Sequence, residues 1–355
     1  MDKTYSFSRV YPSLDISATL KTFPEDFIVK EFISVDFSGD GEHCWVYIEK
    51  RNCNTDFIAQ RIALYCNVKK MAVSYAGLKD RRALTSQWFS VQLPGLPTPD
   101  WGAFEIFFNA HSDEEQIRIL ESHRHNRKLQ RGALKHNKFT ITLRDLSDSG
   151  DEMFQSLTQR CEVIAHDGVA NYFGTQRFGI NRNNLDAAER MFSDSRKRID
   201  RHKRSLYLSA ARSWIFNCIL SRRIEVDLWN KRMPGDVFML QGKSACFPDD
   251  GSEDIDTRLL AKEIHPTSVL WGEGDSMVKS EAAEFELSVI EQFPVFNKGL
   301  IKARVKAQRR AIRLMPQQLS YGRQNDDFVL SFDLPAGSYA TEVLAEIFTR
   351  LTESR

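Results

Sequence analysis

The stretch Tyr75-Ala76-Gly77-Leu78-Lys79-Asp80-Arg81-Arg82-Ala83-Leu84-Thr85 sets one carboxylate among three cations. A short apolar strand runs into Gly77, and Asp80 follows between Lys79 and the Arg81-Arg82 pair. Neighbouring cations favour the charged form of a carboxylic acid. Asp80 therefore reads as an anion at neutral pH, able to act as a nucleophile or to hold a cation. The ordinary role of an aspartate in a basic turn is a surface salt bridge, and the turn by itself does not override that reading. The six cysteines, Cys44, Cys53, Cys66, Cys161, Cys218 and Cys246, never fall as CxxC, which argues against zinc-ribbon and thioredoxin-type sites. They read as free, buried thiols with no catalytic role.

Positive charge is gathered in three runs. Arg118, Arg124, Arg127, Lys128, Arg131, Lys135, Lys138 and Arg144 are opposed only by Glu121. Arg196, Lys197, Arg198, Arg201, Lys203 and Arg204 are opposed only by Asp200, and Lys302, Arg304, Lys306, Arg309, Arg310 and Arg313 by no acid. The whole chain carries a formal charge of only +1, so the surface is expected to be segregated. One such run is usually a solvated face. Three point to a polyanion groove, because phosphate contacts supply most of the affinity for nucleic acid. Phe139, beside the first run, has the chemistry to stack on an unpaired base. His123-Arg124-His125 could suggest a metal-ligand pair, but on this basic segment it reads as a phosphate contact or solvated surface.

The elements that must position these groups fall into an order. The chain has 355 residues, enough for two domains or for one domain with a large insertion. Hydrophobic residues make up 42% and charged residues 27%, which allows a core of normal size. Strands are expected at Phe27–Phe32, Cys44–Ile48, Met71–Tyr75, Gln87–Gln92 and Phe104–Phe108. Another is expected at Lys138–Arg144, with Phe139, Ile141 and Leu143 on one face. Asn54-Thr55-Asp56 should cap a helix carrying Phe57, Ile58, Ile62 and Leu64 or Tyr65. The polar stretch from Asp145 to Asp151 suggests a boundary. Helical patterns follow at Met153–His166, Asn184–Phe192 and Leu206–Ile224, then an acidic loop at Asp249–Asp254. Strand signals return at Asp327–Asp333, before a turn at Leu334-Pro335-Ala336-Gly337 and a helix from about Thr341. This order predicts an α+β domain interrupted by a mostly helical insertion. No run of apolar residues is long enough for a membrane helix, and the first residues lack the apolar segment of a secretory signal.

A resemblance sharpens the chemistry. Gly77-Leu78-Lys79-Asp80-Arg81, with Thr85 and Gln87-Trp88-Phe89, resembles the active-site motif of the tRNA pseudouridine synthase D (TruD) family. Lys21 with Pro24-Glu25-Asp26-Phe27 resembles its N-terminal motif, and Arg131-Gly132-Ala133-Leu134-Lys135-His136-Asn137-Lys138-Phe139 its basic segment. Asn171-Tyr172-Phe173-Gly174-Thr175-Gln176-Arg177-Phe178-Gly179 and Leu334-Pro335-Ala336-Gly337-Ser338-Tyr339-Ala340-Thr341 resemble its NYFG-QRFG and LPAGSYAT motifs. The matches keep the family's order from about residue 21 to 345. Ala170 stands where a proline is common and Arg82 where a histidine is common.

The resemblance implies isomerisation of uridine to pseudouridine in transfer RNA, typically at position 13. The uracil is detached from its sugar, rotated and rejoined through carbon. Asp80 would be the catalytic nucleophile, attacking either the anomeric carbon or the uracil ring. Phe27, Asn137 and Tyr339 would contact the uridine, Phe139 would pack against the flipped base, and Lys21 would bias the pocket toward anions. Arg127, Lys128 and Arg131 would grip the RNA backbone. Each has a plainer role open to it: core packing for Phe27 and Phe139, a turn cap for Asn137, a helix start for Tyr339. NYFG-QRFG reads as mainly architectural, with Arg177 pairing with a carboxylate or phosphate.

The implied fold is V-shaped. A pseudouridine-synthase catalytic domain, an antiparallel sheet flanked by helices, would span residues 1–162 and 312–355, and a mixed, mostly helical TRUD insertion residues 163–311. No cofactor and no metal is expected, since the reaction exchanges bonds without net change and the chain shows neither a Walker loop nor GxGxxG after a strand. The expected partner is transfer RNA, with no membrane and no obligate protein partner, and the expected state a cytoplasmic monomer. Two rivals stand beside this reading. An RNA-binding scaffold on the same fold would be free to lose Asp80, and an RNA hydrolase would need a metal cage or a histidine acid–base pair.

Overall fold

The computed structural model describes residues 6–148, 150–194 and 198–353. The first part of the chain forms β1 (Ser17–Leu20), β2 (Phe27–Ile33), β3 (His43–Arg51), α1 (Thr55–Tyr65), β4 (Val73–Tyr75), β5 (Leu84–Gln92), α2 (Trp101–Asn109), β6 (Gln116–His125), β7 (Leu134–Arg144) and α3 (Asp151–Asp167). The middle forms β8 (Val169–Ala170), α4 (Asn183–Ser193), α5 (Arg201–Glu225), β9 (Val237–Leu240), β10 (Cys246–Pro248), α6 (Asp254–Leu260), β11 (Ile264–Leu270), α7 (Ser280–Ile290), α8 (Pro294–Lys302), β12 (Gln308–Ala311) and β13 (Arg313–Leu314). The end returns to β14 (Gln317–Gln324), β15 (Asp327–Pro335), α9 (Ala340–Leu344) and β16 (Arg350–Glu353). The α+β class is as expected, and no described helix is long and apolar enough to cross a membrane.

Residues 14–165, 316–337 and 347–353 make one compact unit, and residues 6–13, 166–315 and 338–346 the other. The sequence division put residues 1–162 and 312–355 with the sheet; in the structure residues 6–13 and 338–346 belong with 166–315. The polar stretch after Arg144 is a connection inside the first unit. Ser147 is tied to Ser17 there in both directions, N–H to carbonyl at 2.9 Å and hydroxyl to N–H at 3.1 Å.

The first unit is built on a ten-stranded sheet ordered β14-β15-β7-β2-β5-β3-β6, with β1 between β7 and β16, and β4 beside β5. It is mixed where an antiparallel sheet was expected: β2 runs parallel to β5 and β1 parallel to β16. Both parallel pairs join strands that are distant in the chain, which no hairpin could do. Alternation along each strand sorts the side chains. Phe27, Val29 and Glu31 share a face with Phe139 and Ile141, because Val29 pairs with Phe139 and Phe27 with Ile141. Thr85 joins that face opposite Val29, and Lys50 opposite Thr85. α1 and α2 cover one part of this face through Ile58, Ile62, Phe104 and Phe108, which pack with Val46, Ile48, Phe89 and Val91. At the other part α3 brings Phe154 to 6.3 Å from Phe328.

Two local readings change. Phe104–Phe108, expected as a strand, lies in α2. Trp101, Phe104 and Phe108 recur at helical spacing and are buried, and the Asp100 carboxylate accepts from Ala103 N at 3.0 Å as the cap. Gln116–His125, read only as part of a charged run, is a strand of the sheet paired with β3.

In the second unit α5 is the axis. Trp214, Ile215, Phe216 and Ile219 are buried against Tyr172, Phe173 and Phe178. β10-β9-β11-β12 form a four-stranded sheet, and β13 pairs with β8.

Arg144 closes β7 by donating to both oxygens of Asp26, from Nε at 3.0 Å, and to Asp327 at 2.6 Å. Asp26 is buried, so its partner is required. Arg144→Met should therefore destabilise the fold by about 3 kcal/mol, read in denaturant titration. An unchanged midpoint would mean that Asp26 is satisfied without it.

Candidate active site

Asp80 lies on the loop between β4 and β5, its side chain 35% exposed. The loop is held at successive points from the sheet below. Gln87 donates its amide to Gly77 O at 3.1 Å. Thr55 accepts from Lys79 N at 3.1 Å and donates to Gln87 Oε1 at 2.7 Å. The Lys79 ammonium meets the Glu31 carboxylate at 2.6 Å, and both side chains are buried. Glu31 also accepts from Trp88 N at 3.3 Å. Lys50 donates to the carbonyls of Asp80 and Cys53, each at 2.7 Å.

The cations around Asp80 are not those its sequence neighbours suggest. Lys79 is committed to Glu31, and Arg81 to Glu115 at 3.0 Å and to Asn52 O at 3.2 Å. Lys21 takes the place beside Asp80, its Nζ 3.4 Å from Oδ2. The same Nζ is 3.1 Å from Glu353 and 4.7 Å from the centre of the Phe27 ring. Lys21 has a left-handed backbone, φ 59°, a conformation that a side chain other than glycine adopts at a cost. The short helical turn Pro24–Asp26 then delivers Phe27 to the sheet. Asp26 accepts from Phe23 N at 2.8 Å to close that turn, and Glu25 accepts from Arg51 at 2.6 Å, which lowers its pKa.

Phe27, Phe139 and Asn137 lie on the face that carries the loop. Phe27 meets Phe139 edge-on at 6.2 Å, and Phe139 stacks on Phe332 at 5.7 Å. Both are nearly buried, Phe139 being 8% exposed, so they form an apolar floor and no free stacking platform. Asn137 pairs across the strands with Glu31 and Leu334. Its Oδ1 is buried with no hydrogen-bond partner among the described residues, and so is Thr85 Oγ1. A buried acceptor left without a donor is disfavoured unless something else fills it.

Tyr339 belongs to the other unit. It precedes α9 as its N-cap, and its hydroxyl accepts from Arg177 Nε at 2.9 Å. Arg177 is thus spent on Tyr339, and on Ser209 at 3.2 Å, where an acid or phosphate was expected. The NYFG segment is an arginine–aromatic stack. Arg310 lies 4.2 Å over Phe173 and donates to Asn171 Oδ1 at 2.5 Å. Burial brings its pKa down to about 10. Asn217 clasps the Phe173 backbone, accepting from its N–H and donating to its carbonyl, each at 2.9 Å. A side chain at Gly174 would come within 2.8 Å of the Tyr339 ring.

Arg127 and Lys128 are exposed, as a backbone grip needs. The Arg131 side chain lies outside the described residues. The first run also loses members to structure: Arg124 donates to Leu96 O at 2.7 Å and Thr98 at 2.9 Å, and Arg144 is held by Asp26. In the second run Arg196 and Lys197 lie outside the described residues, while Arg198, Arg201, Lys203 and Arg204 are exposed. The second half of the third run is internal. Arg309 pairs with Glu286 at 2.9 Å, Arg310 is in the stack, and Arg313 donates to His265 Nδ1 at 2.8 Å and to the carbonyls of Leu259 and Ile264. Burial lowers the His265 pKa to about 3, so it stays neutral and accepts from Arg313. Lys302 and Arg304 remain exposed.

Sequence reasoning passed over Glu31, Lys50 and Thr55. The first two had a signal: each is a charge at the inward parity of an apolar strand, Phe27-x-Val29-x-Glu31 and Val46-x-Ile48-x-Lys50.

The comparisons agree across the chain. The family profile for tRNA pseudouridine synthase D (TruD) matches residues 8–188 and 183–347. The tRNA pseudouridine synthase D of Methylococcus capsulatus is 45% identical over 96% of this chain and 93% of its own. That of Hydrogenovibrio crunogenus is 40% identical over 96% of each. A crystal structure from Methanosarcina mazei, assigned to the same family, has a TM-score of 0.70 with 23% identity and covers 96% of both chains, a likeness of fold.

Arg313→Gln should lower stability by about 2–3 kcal/mol through the buried acceptors it strands. Its affinity for RNA should not change. Calorimetry and a filter-binding titration together check this, and weaker binding at unchanged stability would return Arg313 to the surface.

Proposed function

The chain belongs to the tRNA pseudouridine synthase D family, and on that premise we propose that it isomerises uridine 13 of transfer RNA with Asp80 as the nucleophile. The observation that carries this reading is the state of Asp80: a partly wet carboxylate on a backbone held at Gly77, Lys79 and Asp80 itself. A nucleophile must be reachable and aimed, and a surface ion pair needs neither.

The residues divide the work. The target nucleotide must leave its stack to reach a carboxylate on a protein face. Phe27 and Phe139 offer the base an apolar floor. The unfilled Asn137 Oδ1 is an acceptor suited to the uracil imide N–H or a ribose hydroxyl. By the family resemblance, Tyr339 is a further uridine contact. Lys21 holds Asp80 Oδ2 in line until substrate arrives. Asp80 then bonds to the anomeric carbon or to the uracil ring, the C–N glycosidic bond is broken, the base turns, a C–C bond to the sugar replaces the C–N bond, and the bond to Asp80 is broken to return the free carboxylate. The proton that leaves the ring carbon balances the one gained by nitrogen, so the product is an isomer. Exposed Arg127 and Lys128, with Arg131, supply phosphate contacts. Such a substrate places the protein in the cytoplasm.

Asp80→Ala should abolish pseudouridine formation, read by chemical mapping of a tRNA transcript, with affinity within about threefold of wild type. Turnover in that variant would remove the nucleophile assignment. Replacing Arg127, Lys128 and Arg131 together by glutamine should weaken binding and flatten the slope of log affinity against log salt by about 2–3. An unchanged slope would place the RNA on other cations.

A further inference from the structure

We propose that Lys50 is a positioning residue for this reaction: its buried ammonium fixes the main chain of Asp80 and so the direction in which the nucleophile faces the uridine. The proposal rests on Asp80 being that nucleophile. Lys50 is fully buried at the end of β3, and among the described residues it forms no ion pair. Its two acceptors are backbone carbonyls, of Cys53 at the entry to α1 and of Asp80, each at 2.7 Å. One ammonium therefore pins the nucleophile's own peptide to a segment that precedes a helix of the core.

Folding alone does not call for a charge here. An isolated buried cation is disfavoured, and a neutral donor could satisfy the same two carbonyls without that desolvation. Burial brings the Lys50 pKa down to about 8, with the Asp80 charge acting the other way. The ammonium form is still the major one at neutral pH. The other holders of the loop reach Gly77 and Lys79; Lys50 reaches Asp80 itself. A cation that carries this desolvation cost and ends on the carbonyl of the reactive residue is placed for orientation. Displacing a reacting group by about 1 Å is enough to lose on the order of 100-fold in rate.

The test uses the full-length protein and a tRNA transcript, with single-turnover rates, tRNA affinity and melting temperature read together. Lys50→Met strands the two carbonyls, so it should fold with a modestly lower melting temperature, bind tRNA within about threefold, and form pseudouridine about 100-fold more slowly. Lys50→Ala should show the same loss and recover turnover with added ethylammonium but not with ethanol. A wild-type rate in Lys50→Met, or rescue by ethanol as good as by the amine, would overturn the proposal. So would loss of folding in both variants, which would make Lys50 part of the framework. Asp80→Ala is run alongside. If it is inactive while Lys50→Met is not, only the positioning role falls; if it turns over, the reading of the site falls first.

Discussion

The nucleophile role proposed for Asp80 requires a carboxylate wet enough to meet its substrate and still enough to be aimed. The structure meets both demands by burying the charges that hold Asp80 and leaving Asp80 itself partly exposed. The governing contact is the ion pair between Lys79 and Glu31, with both side chains out of solvent. A buried pair of this kind adds little net stability over an apolar pair, but losing either member is severe. It therefore acts as a geometric lock. Glu31 is fixed on β2, and Lys79 precedes Asp80 directly, so the loop cannot lift without stranding a buried carboxylate. Thr55 and Gln87 complete the lock by satisfying the loop's backbone at Lys79 and Gly77.

The N-terminal motif has the same logic. Lys21, Asp26 and Phe27 are tied to one another by the left-handed backbone at Lys21, the closed turn at Pro24–Asp26 and the clamp of Arg144 on Asp26. This geometry lets Lys21 span the Phe27 ring and reach Asp80 Oδ2. A lysine on a regular strand next to Phe27 would point along the strand's alternation and have no reason to meet a loop from β4. The motif is compact in sequence because each residue sets the backbone of the next.

The fold class was legible because its signals are local. Alternation in Lys138–Arg144 and helical spacing in α3 and α5 report which side of an element is buried. Phe104–Phe108 misled because an aromatic run has strand composition, and its helical phase appears only when Trp101 is included. The parallel pairing of β2 with β5 was not legible, since no local pattern encodes which distant strand lies alongside. At the site, the motif around Asp80 could be read, but not which cations would serve it. Lys79, Arg81 and Arg82 are adjacent in sequence, and backbone direction sends Lys79 and Arg81 to Glu31 and Glu115. Lys21, far away in the chain, arrives through the sheet.

The cationic runs carry the same lesson for charge. A count along the chain treats each arginine as a surface group, yet a strand places alternate side chains on opposite faces. β12 and β13 are strands, and the last three arginines of the third run fall on them. Arg309 and Arg313 are therefore turned onto Glu286, His265 and backbone carbonyls, and Arg310 onto Phe173. The guanidinium suits such places because its planar fork satisfies several acceptors at once and stacks on a ring. In the first run, Arg127 and Lys128 fall between β6 and β7, where no pairing strand claims them, and they stay exposed. Position relative to the strands, more than density of charge, decides which basic residues are left to meet a phosphate.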